Sequence, residues 1–96
     1  MKIHVSHEAA EWYKDELYLN KGDYVRFYAR YGGVSTFQKG FSLGLSTDEP
    51  MDIGASEEID GVTFFIEDKD LWYFDDKDLY IDFNTSYSEP EFRISE

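Results

Sequence analysis

Cysteine is absent from this sequence, proline and histidine occur twice each, and only 9 lysines and arginines stand against 21 acids in 96 residues. Without cysteine there are no disulfides, no thiolate zinc sites, no thiol catalysis and no cysteine-ligated iron–sulfur cluster. With so few bases the formal net charge is −12. That field repels phosphates, so neither nucleic acid nor an anionic membrane is an expected partner. No apolar run approaches the roughly 20 residues that span a bilayer. The opening Met1-Lys2-Ile3-His4 does not lead into the apolar core of a secretory leader. These features together predict a cytoplasmic protein.

The acids are unevenly placed. Sixteen of them follow residue 47, where Lys69, Lys77 and Arg93 are the only bases. The second half therefore carries −13 and the first half +1. Such a surface attracts basic proteins or divalent cations; simple solubility is the plainer explanation. What the chain has in excess is aromatic side chains, with 8 Phe, 8 Tyr and 2 Trp. Each large ring removes roughly 150–250 Å² from water when buried, which is enough for a core without covalent staples and argues against disorder. The length fits one domain over residues 1–96.

Along the chain, Ile3-His4-Val5 reads as a short strand and Ser6 as a helix N-cap. A helix is expected over residues 7–19, with Ala10, Tyr13 and Leu17 on one face and a stop at Asn20-Lys21-Gly22, where Gly22 takes the left-handed cap. Tyr24–Tyr31 alternates as a strand: Val25, Phe27, Ala29 and Tyr31 point one way, Tyr24, Arg26, Tyr28 and Arg30 the other. A second β segment is expected over Thr36–Leu45, bent at Gly40 and Gly44, and a short strand at Met51–Ile53. Asp60-Gly61 is a hairpin turn before a strand at Val62–Glu67. A short helix over Asp68–Phe74 and a polar turn at Asp75–Asp78 precede strands at Leu79–Phe83 and Glu91–Ser95. The class expected is α+β, dominated by antiparallel sheet.

Few constellations point to chemistry. His4 and His7 would need Glu8 or Glu11 to make a metal site, and a metal-bound histidine usually has a third ligand and outer support; surface histidines are the simpler reading. The Asp75-Asp76-Lys77-Asp78 run lacks the alternating acids, central glycine and closing glutamate of a calcium loop. Tyr31-Gly32-Gly33-Val34-Ser35 has neither the phosphate-loop nor the dinucleotide spacing. No serine is placed beside a base, so no catalytic residue is nominated and no enzyme is expected. The face formed by Tyr24, Arg26, Tyr28 and Arg30 suits a binding hot spot, but packing with ion pairs to the many acids accounts for it more simply.

Val25-Arg26-Phe27-Tyr28-Ala29-Arg30-Tyr31-Gly32-Gly33 and Lys39-Gly40-Phe41-Ser42-Leu43-Gly44 resemble the HesB-like, or A-type iron–sulfur carrier, domain family, in its YneR-like Gram-positive branch. Ser6–Ala10, Gly61–Asp68, Leu71–Phe74, Ile81–Phe83 and Glu91–Ile94 match later or flanking segments in order. The resemblance implies a β-rich α+β fold of two small mixed or antiparallel sheets with an N-terminal helix. It also implies handling of iron–sulfur clusters through three cysteines. Val34 stands at or beside the first of these, and the C-terminal pair has no counterpart up to Glu96. Valine offers iron no lone pair, and the neighbouring Ser35 is a poor substitute for a soft thiolate.

The resemblance thus implies a cysteine-free accessory protein, without cofactor or metal, that binds a protein of the iron–sulfur assembly machinery through Tyr31, Gly32, Gly33, Val34 and Ser35. The alternative is divalent metal (iron) binding through carboxylates and histidine. The oligomeric state is not set by the sequence.

Overall fold

The computed structural model describes residues 1–32 and 40–95. Among these, the chain runs β1 (Ile3–Val5), α1 (His7–Glu16), β2 (Tyr24–Tyr31), β3 (Phe41–Ser46), β4 (Ile53–Ile59), β5 (Val62–Glu67), a 3-10 helix (Asp68–Phe74), β6 (Leu79–Asn84) and β7 (Glu89–Ile94). The class is α+β, as expected, but both sheets are mixed. One has the order β1-β6-β7 and the other β3-β2-β5-β4. β1 runs parallel to β6 and β2 parallel to β5, while the remaining pairs are antiparallel.

Helix α1 starts where Ser6 Oγ accepts the backbone N–H of Ala9 at 3.1 Å, which satisfies one of the orphan donors of the first turn. It ends earlier than the spacing predicts. Tyr18 takes the left-handed conformation at φ 53°, and the Leu19 N–H reaches back to the Lys14 carbonyl at 3.0 Å. This is the closing bond of a Schellman cap, and it turns Leu17 and Leu19 back against the core. Gly22 instead serves the next turn, where its N–H donates to the Gly61 carbonyl.

Asp60 and Gly61 both have positive φ, 53° and 85°, which matches the right-handed twist of the β4–β5 hairpin. β4 is longer than expected, because Glu57 and Glu58 conceal a strand that pairs with Phe64 and Thr63. Gly44 makes no bulge; it stands directly opposite Tyr28. A Cβ there would lie 2.5 Å from the Tyr28 ring, so glycine leaves the space over which that ring lies. Residues 36–39 of the expected second β segment lie outside the described residues. β7 begins two residues earlier than expected and includes Pro90. It is an edge strand, where a missing N–H is tolerated.

The two sheets bury their facing sides together. Ile3, Val5, Leu79 and Ile81 come from one, and Val25, Phe27, Ala55, Val62, Phe64 and Ile66 from the other. Ala9, Ala10 and Tyr13 of α1 and Tyr73 and Phe74 of the 3-10 helix complete the core. Burial pushes the Tyr13 phenol above its ordinary range, so it stays neutral. The Val5 N–H donates to Glu57 Oε1 at 2.8 Å, tying edge strand β1 to edge strand β4.

β5 is covered on both faces. Phe65 lies beneath Tyr24, edge to face at 6.0 Å. The buried Glu67 carboxylate accepts the backbone N–H groups of Met51 and Asp52, each at 3.1 Å. A buried acid supplied with donors in this way is satisfied rather than poised for chemistry.

Candidate functional site

The face formed by Tyr24, Arg26, Tyr28 and Arg30 is largely occupied by its own fold. Arg26 Nη2 donates to Asp70 Oδ2 at 2.9 Å, and its guanidinium lies 5.1 Å from the centre of the Tyr28 ring. The 3-10 helix delivers Asp70 to this point. Packing with ion pairs therefore accounts for Arg26, while Arg30 remains exposed.

The two histidines part company. His4 Nε2 lies 3.2 Å from Asp78 Oδ2, and its ring stacks on Tyr80 at 4.5 Å. The Arg93 guanidinium covers the Tyr80 ring, 4.2 Å from its centre. These three residues stand in register across β1, β6 and β7. His7 instead faces Glu11 Oε1 and Asp60 Oδ2, each at 3.8 Å. These side chains are 67%, 48% and 46% exposed. Exposed charges at this spacing make weak, screened pairs.

The His4 clamp has a consequence for pH. The His4 hydrogen bond, followed by the backbone N–H of Lys2 at 2.9 Å, holds the Asp78 carboxyl below its usual range. A carboxylate with a depressed folded-state pKa stabilises the fold above its unfolded pKa. That contribution is lost as pH falls through the folded value. Asp78→Asn is therefore expected to lower the thermal midpoint at about pH 7, with the difference from wild type shrinking as pH falls through the depressed folded-state value. Thermal scans across this range check it, and equal midpoints at neutral pH count against the clamp.

One surface gathers aromatic rings that the core does not use. Tyr31 and Phe41 are the last cross-strand pair of β2 and β3, with rings edge to face at 5.7 Å. Trp72 of the 3-10 helix meets the same Phe41 ring at 5.1 Å. Phe41 also touches Tyr73 at 6.3 Å, and Tyr73 is only 1% exposed. The cluster thus has a buried root and two outward rings: Trp72 is 52% exposed and Tyr31 87%. Beside Trp72, Asp75 and Asp76 hold left-handed backbone at φ 52° and 61° and are exposed.

Of the expected site residues, the structure puts Tyr31 in this cluster and Gly32 at its edge, where the Gly32 N–H donates to the Gly40 carbonyl at 2.7 Å. Gly33, Val34 and Ser35 lie outside the described residues. Phe41 and Trp72 were not among the expected residues. Tyr31 and Phe41 flank one glycine-rich connection, a usable hairpin signal. Nothing in the sequence brings Trp72 to them. Open grooves among the described residues include the one lined by Lys14, Leu19, Lys21 and Asp60.

A pyruvate dehydrogenase inhibitor of Bacillus subtilis is 51% identical to this chain over 92 residues, covering 96% of it and 97% of the relative. The chain belongs to that inhibitor's family. An uncharacterized protein of Staphylococcus saprophyticus extends the inhibitor family, with 44% identity over 93% of this chain and 94% of its own. One of Staphylococcus haemolyticus is 36% identical over 85% and 86%. No family model matches the chain and no solved structure matches it.

These findings correct the HesB-like reading. Membership of that relative's family replaces it, since the relative is named a pyruvate dehydrogenase inhibitor and no family model supports a HesB-like domain. The expected accessory role in iron–sulfur biosynthesis falls with it, and a partner from the assembly machinery is left without support. The physical reason is that most of the matching stretches are short alternating or glycine-bearing segments, with one helix start and one short helix between them. Any β-rich domain with elements in this order writes similar segments.

Proposed function

We propose that this protein inhibits pyruvate dehydrogenase by binding to it, and that it catalyses no reaction of its own. The observation that carries this reading is the 51% identity with a pyruvate dehydrogenase inhibitor across nearly the whole of both chains. The acidic, aromatic-bearing surface supports it, since such a surface is equipped for protein recognition. A cytoplasmic location goes with the same reading.

Titration of the purified protein into pyruvate dehydrogenase of the host organism, followed by pyruvate-dependent NADH formation, tests it. Saturable inhibition is expected, with a complex detectable by sedimentation. An unchanged rate at saturating excess, with no complex, overturns it.

A further inference from the structure

We infer that the inhibitory face is the aromatic edge made by Tyr31, Phe41 and Trp72 beside Asp75 and Asp76, and that it docks on a basic, Arg- or Lys-bearing surface of pyruvate dehydrogenase. This inference rests on the proposed function and names the surface that would carry it out.

Scattered exposed rings need no explanation. Tyr18 and Tyr87, 86% and 75% exposed, are of that kind, for neither touches another ring among the described residues. Tyr31 and Trp72 differ because both lean edge-on against one partly buried phenylalanine. Their root reaches the core through Tyr73. Rings held in this way lose little freedom on association, which is how aromatic anchors gain affinity. Trp and Tyr are also the residues that most often dominate protein interfaces.

Charge identifies the partner's chemistry. The segment from Asp68 to Asp78 carries five aspartates against Lys69 and Lys77. Asp70 and Asp78 are engaged by Arg26 and His4, which leaves Asp68, Asp75 and Asp76 exposed, the last two within four residues of Trp72 in the chain. Exposed ring faces and exposed carboxylates on one segment both attract a guanidinium or an ammonium. The net charge of −12 steers the same encounter from a distance. Size is no obstacle. A standard interface takes roughly 800 Å² from each partner, about an eighth of the 6050 Å² surface.

The test measures inhibition of pyruvate dehydrogenase by wild type, Trp72→Ala, Tyr31→Ala, Asp75→Asn/Asp76→Asn and, as a remote control, Tyr87→Ala. Each aromatic truncation is expected to raise the half-inhibitory concentration about 30-fold, with Tyr87→Ala indistinguishable from wild type. The double aspartate variant should associate about 3- to 10-fold more slowly at low salt and show a weaker salt dependence. Thermal scans accompany each variant. Should Trp72→Ala fail to fold, the highly exposed Tyr31→Ala decides. Folded aromatic variants that inhibit like a fully active wild type overturn the docking face while leaving the function standing. A double aspartate variant with unchanged association and salt response overturns the basic partner. Loss of self-association in the aromatic variants, with inhibition intact, assigns the face to a second copy of this chain and overturns the inference. A wild type that does not inhibit overturns the proposed function itself.

Discussion

Phe64→Ala is expected to destabilise the fold by about 3–5 kcal/mol, a large share of the 5–15 kcal/mol that natural domains of this kind possess. Phe64 is fully buried on β5, which has β2 on one side and β4 on the other. Its ring meets Tyr13 of α1 at 5.9 Å and Phe27 of β2 at 6.3 Å. Truncation removes the packing that joins the helix to the larger sheet, and three rigid elements around the void cannot collapse to fill it. The urea midpoint should fall while the slope stays unchanged, which marks a loss of stability rather than of native compactness. Phe92→Ala, at a site 37% exposed, should cost only a fraction of this. Near-equal losses at the two positions would refute the assignment of Phe64 to the centre of the core.

Asp70→Ala is expected to cost about 3 kcal/mol, near the lower end of the range for breaking a buried ion pair. The Asp70 side chain is 11% exposed and that of Arg26 20%. Removal of the carboxylate leaves a cation whose desolvation is no longer offset. The Arg26 Nε atom already has no hydrogen-bond partner among the described residues. Replacement of both members by apolar groups, Arg26→Met with Asp70→Leu, should recover most of the loss, because the penalty lies in the stranded charge and not in the absence of a pair. Denaturation of the two single variants and the double variant gives the coupling directly. A loss below about 1 kcal/mol for Asp70→Ala would show that the pair behaves as an exposed one.

These two positions differ in how legible they were. Phe64 lies in a dense apolar segment after the Asp60-Gly61 turn, and its place in a strand follows from pattern alone. Arg26 and Asp70 lie 44 residues apart. Nothing local announces that a short helix will swing an aspartate over the outer face of β2. The same difficulty applies to the candidate surface. Tyr31 stood out beside Gly32, whereas Trp72 entered only because the 3-10 helix follows β5, and β5 runs parallel to β2 in the same sheet. The HesB-like resemblance misled for a related reason. It rested on short segments, most of them strands, whose composition reports local backbone geometry more than chemistry.

Local rules determined the Ser6 cap, the alternation of Tyr24–Tyr31, the Asp60-Gly61 hairpin, the 3-10 segment and the exclusion of thiol chemistry. Each depends on residues within one turn or one strand of each other, where steric and hydrogen-bonding preferences act without reference to the rest of the chain. Tertiary structure alone decided the parallel β1–β6 and β2–β5 pairings, the burial of Glu67 and the meeting of Tyr31, Phe41 and Trp72. These follow from closing long loops around a shared apolar core. That closure is driven by non-directional burial summed over the whole molecule, so no single stretch of sequence encodes it.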